Sequence, residues 1–282
     1  MKVGAHVSIS GGIDKSPKRA ADLDCDCYQI FAKNPRGWKV RDLKKNEGEK
    51  TKENLEKYDL DPLVVHISYL VNVGTPKDDL YEKSLRSLKA EYKRTGQIGG
   101  KYLVLHPGKY TKSNMEDGIQ RIGEAINEVF SEIDSDVMIL LENVAGAGTS
   151  IGKSFEELKQ IMDLIDDKDR VGICFDTCHG FSAGYDLRTE ESVDQVFRGF
   201  DKIIGFDKMK VIHANDSKKE YGTNKDRHEH IGQGYIGEEG FRAMIHHPLI
   251  KEYDVPFLLE TPVDEEGNFE TNIAKLRELA RE

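Results

Sequence analysis

The chain has 282 residues, 38% of them hydrophobic and 33% charged, with 41 Lys and Arg against 51 Asp and Glu for a net charge of −10. That is enough apolar chain for one substantial core, and the acidic balance excludes a generically basic nucleic-acid coat. No apolar run approaches the roughly 18–20 residues of a membrane span, and Cys25, Cys27, Cys174 and Cys178 form neither a CxxC pair nor a secretory framework. The sequence opens directly on strand-like KVGAHV, leaving no room for a signal peptide, so the expected location is the reducing cytoplasm.

Taken in order, strands are expected at residues 2–7 (KVGAHV) and 27–32 (CYQIFA), followed by six that share one design. Each of the six is an apolar run that finishes on an imidazole or a carboxylate. LVVHIS ends in His66, YLVLHPG in His106, MILLENV in Glu142, VGICFDTCH in Asp176 and His179, KVIHAND in His213, and PFLLET in Glu260. From His66 to His213 these endings recur every 34–40 residues, the length of one strand, one helix and two loops. Helices are expected at about 14–23, 41–58, 78–96, 115–133, 154–166, 191–204, 238–247 and 269–281. Ser154 with Glu157 reads as a capping box for the fifth, and Gly96 with the Gly99-Gly100 pair closes the third. Such βα units are best satisfied by an α/β fold with one domain over residues 1–282, a TIM (β/α)8 barrel with its helices outside. In these barrels chemistry sits at the C-terminal ends of the strands, where this sequence places its His, Asp and Glu. The one long irregular stretch, Asn215 to Gly237, carries DRHEH at 226–230, and a loop of that length is expected to be functional.

A ligand-type side chain at the tip of a buried strand is costly unless something uses it. Alone, His66 or His213 reads as a hydrogen-bonded structural residue; repetition at six strand ends points to a shared polynuclear metal site. The residue two before each ligand, namely Val64, Val104, Leu140, Cys174, Val211 or Leu258, points into the barrel as filling, which makes the ligand the polar top layer of an apolar stack. Asp226 and His228, two apart in an extended segment, face the same side and can chelate one ion. These groups are too many for one metal, and imidazole with carboxylate suits zinc, manganese or iron. His6 is expected to hydrogen-bond a ligand rather than bind metal. His230 is expected at the solvent-exposed surface, His246 and His247 as surface or cap residues, and the cysteines as packing.

The segments GAHVSISGG (4–12), FAKNPRGW (31–38), HISYLVNVG (66–74), LHPG (105–108), LENVAGAG (141–148), FDTCH (175–179), HANDSK (213–218), DRHEHIGQGYIG (226–237) and LLETP (258–262) resemble, in order, those of the endonuclease IV family of apurinic/apyrimidinic endonucleases. The resemblance runs from the first strand to the eighth. It implies a xylose-isomerase-like barrel carrying three zinc ions. His66, His106 and Glu142 would hold the first; Glu142 would bridge to a second held with Asp176, His213 and Glu260; His179, Asp226 and His228 would hold the third. The implied activity is zinc-dependent hydrolysis of the phosphodiester 5′ to an abasic site in double-stranded DNA, leaving a 3′-hydroxyl and a 5′-deoxyribose phosphate, as in base excision repair. Water activated between two of the ions would attack phosphorus in line, and Glu142, the catalytic residue, would orient or deprotonate it.

Binding is expected from the loops around the mouth. Lys33, Arg36, Lys39, Arg41, Lys44 and Lys45 stand against Asp42 in one stretch and form a basic rim for phosphates. The resemblance places Asn34 and Arg36 in the minor groove and wedges Tyr69 and Leu70 into the stack beside the lesion, where an abasic site resists least. Pro35 and Gly37 depart from the longer polar side chains that the family pattern leads one to expect. A monomer with no obligate protein partner is the expected state. Two alternatives are a metal-dependent sugar isomerase or epimerase on the same barrel, which gives no role to His179, Asp226 and His228, and a non-catalytic metal-binding module, which needs saturated coordination.

Overall fold

The computed structural model describes residues 1–282. Eight parallel strands close into a barrel: β1 (Val3–His6), β2 (Cys27–Phe31), β3 (Leu63–His66), β4 (Tyr102–Leu105), β5 (Met138–Glu142), β6 (Val171–Asp176), β7 (Met209–His213) and β8 (Phe257–Leu259). Each strand pairs with its sequence neighbours, and β1 pairs with β8 to close the ring. The α-helices are α1 (Ser16–Asp22), α2 (Glu47–Lys57), α3 (Asp78–Gln97), α4 (Met115–Glu132), α5 (Phe155–Asp163), α6 (Thr177–Ala183), α7 (Glu190–Ile203), α8 (Gly237–His246), α9 (Pro248–Tyr253) and α10 (Phe269–Leu279), and all but α6 and α9 match the expected set. No helix is long and apolar enough to cross a membrane.

Apolar side chains divide into two bodies. A cluster of 61 buried residues fills the space between the barrel wall and the helices. A separate cluster of seven, Cys27, Val64, Val104, Leu140, Cys174, Val211 and Leu258, plugs the barrel interior. Six of the seven are the expected filling residues; Cys27 is the same position on β2. The equivalent position on β1 is Gly4, where a Cβ would stand 1.8 Å from the carbonyl oxygen of Cys27. The ring closes there because nothing projects inward. Above each plug residue, two positions along its strand, lies a polar residue facing the C-terminal mouth.

Several local features differ from expectation. Helix α2 begins at Glu47 rather than residue 41, because Glu47 clamps the preceding turn: its carboxylate accepts from the Arg41 guanidinium at 2.6 and 2.8 Å and from the Lys44 amide at 2.8 Å. Ser154 caps α5 through the Glu157 amide at 3.2 Å. The box is not completed, since the Glu157 carboxylate instead accepts from the amides of Gly152 and Lys153 at 2.7 and 3.1 Å. Gly96 lies inside α3, which ends at Gln97, and Gly99 makes the left-handed turn beyond it at φ +81°. Two short helices escaped the sequence pattern: α6, capped by Asp176, and α9, capped by His247. The long loop after β7 contains a two-stranded ribbon, Asp216–Ser217 against His228–Glu229.

Candidate metal centre

Strand register assembles the mouth. Asp176 pairs with His213 across β6 and β7, and His213 with Leu258 across β7 and β8, so side chains from consecutive strands meet over the apolar plug. His106 and Glu260 follow directly on the last residues of β4 and β8. His179 enters from the first turn of α6, and Asp226 and His228 from the loop after β7. All nine expected ligand positions fall in three groups whose donor atoms lie within 4.8 Å of one another: His66, His106 and Glu142; Glu142, Asp176, His213 and Glu260; and His179, Asp226 and His228. A fourth combination, Asp176, Cys178 and His228, meets the same limit. Cys178 is buried, and burial pushes its thiol above the ordinary range, which keeps it protonated.

Glu142 is the centre of the arrangement. It is fully buried, with Oε2 2.8 Å from His106 Nε2 and 3.1 Å from His66 Nε2, while Oε1 lies 3.1 Å from His213 Nδ1. One carboxylate thus belongs to two groups. Burial opposes its charge, but His106 and His213 hold its carboxyl well below the usual range. The imidazoles respond in kind. Burial pulls His179 down, yet the charge of Asp176 and the hydrogen bond to Asp226 outweigh it and push it up to about 10. His228 rises to about 9 against burial through Asp176 and Asp226. Buried carboxylates at this density demand cations.

The donor set fits divalent metal. Each of four imidazoles has one nitrogen committed to a partner, which fixes the nitrogen left for a metal. His66 Nδ1 donates to the Ile67 carbonyl at 2.7 Å, His179 Nδ1 to the Asn143 carbonyl at 2.9 Å, and His228 Nδ1 to the Glu260 carbonyl at 3.2 Å. His213 is turned the other way, its Nε2 donating to Gln29 Oε1 at 2.8 Å. His228 Nε2 is buried 3.2 Å from Asp226 Oδ1, too poorly aligned for a hydrogen bond, and is aimed at the other donors of its group. Zinc, manganese and iron all accept such nitrogen and oxygen donors.

Residues 17–280 match the family described as xylose isomerase-like TIM barrel. The chain is 54% identical over 262 residues to the probable endonuclease 4 of Halothermothrix orenii, covering 93% of this chain and 94% of that protein. The chain belongs to the endonuclease IV family. The crystal structure of endonuclease IV from Thermus thermophilus is 34% identical and superposes with a TM-score of 0.88 over 100% of this chain and 99% of that one. A D-tagatose 3-epimerase-like protein, 20% identical with a TM-score of 0.72 over 100% of this chain and 96% of that one, shares the fold alone.

In this endonuclease IV family member the four expected DNA-contact positions lie on two neighbouring loops. Asn34 and Arg36, both exposed, follow β2, and the Asn34 side chain accepts from the Arg36 amide at 3.0 Å. Tyr69, 64% exposed, and half-buried Leu70 follow β3. The Tyr69 ring stands edge-on to Phe31 at 5.0 Å and 6.0 Å from the His66 ring, beside a cleft of about 370 Å³ that His66, His106, His179, Asp226 and Lys109 also line. The basic rim is smaller than expected. Lys33 is buried, donates to the Gly37 carbonyl at 2.7 Å and lies 3.4 Å from Glu91, while Arg41 is spent on Glu47. Arg36, Lys39, Lys44 and Lys45 remain exposed.

His230 is a further correction. It is 1% exposed, held between Asp264 and Asn272 at 2.9 Å each, because the loop folds down onto α10. His6 hydrogen-bonds Glu260 at 3.3 Å and lies outside the three groups. Three residues escaped the sequence reading. Gln29 bridges His213 and Glu260, Asn215 donates to Asp176 Oδ2 at 2.7 Å and accepts from the Glu260 amide, and Asn143 accepts from the Asp176 amide at 2.7 Å. The rule that found His66 above Val64 finds Gln29 above Cys27 when applied to β2. The two asparagines follow within two residues of strand-end ligands, in ENV and HAND.

Proposed function

We propose that this chain is a DNA repair endonuclease that hydrolyses the phosphodiester 5′ to abasic sites in duplex DNA, leaving a 3′-hydroxyl and a 5′-deoxyribose phosphate. The observation that carries the reading is the sharing of Glu142 between two donor groups, with a third group beside them, in a family of endonucleases. His66, His106 and Glu142 would hold one metal ion, Glu142 with Asp176, His213 and Glu260 a second, and His179, Asp226 and His228 a third. Zinc is the ion we assign, with manganese or iron able to substitute. Held by these residues, such ions would supply a water activated near neutral pH and positive charge to offset that of the phosphodiester.

The chain's own residues do the rest. Glu142, buried among His66, His106 and His213, would orient or deprotonate the attacking water. Asp176, Asp226 and Glu260 fix positions, and Gln29, Asn143 and Asn215 fix the fixers. Asn34 and Arg36 follow the minor groove, while Tyr69 and Leu70 wedge into the stack beside the lesion, where an abasic site resists least. Exposed Arg36, Lys39, Lys44 and Lys45 supply phosphate contacts on an otherwise acidic protein. One chain supplies all nine ligand positions, so the site needs no second copy to complete it, and the proposed state is a monomer without an obligate protein partner. A sugar epimerase has no use for the group of His179, Asp226 and His228.

The test is incision of a labelled duplex carrying one abasic analogue, with intact duplex alongside, before and after metal is stripped and restored. Metal-dependent incision 5′ to the lesion with a 3′-hydroxyl product is expected. Loaded protein that leaves the abasic duplex intact refutes the reading.

A further inference from the structure

The third group depends on a loop, and the loop is built around a residue that holds no metal. We propose that Asp216 is the positioning residue of the His179, Asp226 and His228 group and decides whether that group keeps its ion. The inference rests on the trinuclear reading above.

Asp216 is fully buried. Its Oδ1 accepts from the amides of Ser217 at 2.7 Å and Ile236 at 2.9 Å, and its Oδ2 from those of Gly232 at 3.0 Å, Gly234 at 3.0 Å and Gly237 at 3.2 Å. Both oxygens are thus committed to backbone N–H groups, and Asp216 belongs to none of the donor groups. A buried carboxylate without such partners would cost several kcal/mol; with them it becomes the internal anion around which residues 232–237 wrap. Gly234 is part of the same device, because a Cβ there would lie 2.5 Å from both Asp216 Oδ1 and the Ser217 carbonyl oxygen.

The device reaches the metal group through the ribbon. Ser217 is in register with His228, and the Lys218 amide donates to the Arg227 carbonyl at 2.9 Å. Fixing Asp216 and Ser217 from one side therefore fixes Arg227 and His228 on the other, with Asp226 one residue away. Ordering a loop costs about 1–2 kcal/mol per residue in backbone entropy. Where the loop is ordered beforehand, the ion does not bear that cost; where it is loose, affinity falls.

Replacing Asp216→Asn puts an amide nitrogen where two or three N–H donors converge, without touching a ligand. After dialysis against a fixed concentration of chelator, metal analysis by mass spectrometry is expected to give three zinc ions per unchanged chain and two per variant. The third ion should be weakened about 10- to 100-fold, as for other partners that orient ligands. Excess zinc should restore the third ion to the variant, a rescue that general loss of structure does not permit. Gly234→Ala pushes on the same loop from the opposite side and should lose the same ion, which keeps the inference testable if Asp216→Asn fails to fold. Variants that retain three ions as firmly as the unchanged chain, or that lose all three together, overturn it. The unchanged chain is counted first: two ions or fewer there refute the trinuclear reading itself, and the two failures are distinguished.

Discussion

Gln29 Oε1 sits 2.8 Å from His213 Nε2, and the amide's other atom, Nε2, donates to Glu260 Oε1 at 2.6 Å. The carboxylate can only accept, so the orientation of the amide is fixed, and with it the proton on His213 Nε2. The Nδ1 lone pair is thereby directed at the group it shares with Glu142. Gln29→Ala removes this constraint without removing a ligand. Chelator competition should show the Glu142, Asp176, His213 and Glu260 ion weakened about 10- to 100-fold. Unchanged resistance to chelator would show that Gln29 only fills space.

Glu142 is asked to do chemistry as well as to hold metal. Glu142→Gln keeps the shape but turns one of the two acceptor oxygens into an NH2 group, which can neither take a proton at neutral pH nor hold a metal. Turnover on abasic duplex should fall by about 10²–10⁴, the range for losing a general base, while the dissociation constant for the same duplex moves far less. The comparison needs metal-loaded protein on both sides, confirmed by metal analysis. Equal losses in turnover and binding would assign Glu142 to substrate binding instead.

The fold, and the gathering of six of the nine candidate ligand positions at one mouth, are legible in the sequence for one reason: period-two alternation in barrel strands puts filling and candidate ligand on the same face. Val64 below His66 and Leu258 below Glu260 are instances of one rule. What the rule does not reach are residues whose role depends on contacts distant in sequence. Lys33 and Arg41 look like free cations until Glu91 and Glu47 are placed beside them. His230 looks exposed in a polar loop until Asp264 and Asn272 close over it. Thr177–Ala183 begins at once behind a strand, with no linker to mark it, and the Asp176 that caps it was already claimed as a ligand. Loop and cap chemistry is local, but its partners are not.

Glu47 makes the acid side of this concrete. The Arg41 guanidinium, together with the amides of Ile13 and Lys44, lowers its carboxyl from 4.5 to about 2. A carboxyl with a depressed folded pKa stabilises the fold above its unfolded value and loses that contribution as pH falls through the folded one. Glu47→Gln should therefore cost about 1.5–3 kcal/mol at neutral pH, chiefly from the buried amide contacts. The gap between variant and unchanged protein should shrink between pH 4.5 and about 2. Denaturant unfolding of the metal-free proteins across that range measures it; a gap independent of pH would mean the loss is one of packing.

Glu91 ties the loops that follow β2 and β3 together from beneath. It is fully buried on α3, accepts from the Ser68 amide at 3.2 Å and from Ser87 Oγ at 2.9 Å, and lies 3.4 Å from Lys33 Nζ. Ser68 in turn donates its hydroxyl to the Pro35 carbonyl at 2.8 Å, so the loop bearing Asn34 and Arg36 and the loop bearing Tyr69 and Leu70 share one internal anchor. Breaking a buried pair leaves Lys33 uncompensated, at a cost of about 3–5 kcal/mol. In Glu91→Gln both loops should loosen while the nine ligand positions stay in place. Metal content should be unchanged and KM for abasic duplex should rise at least severalfold, with kcat affected less. A Lys33→Met, Glu91→Leu double variant, which removes both charges, should recover stability but not KM, because the Ser68 amide has then lost its acceptor. Full recovery of KM would show that the pair contributes only to stability and that the loops are positioned by something else.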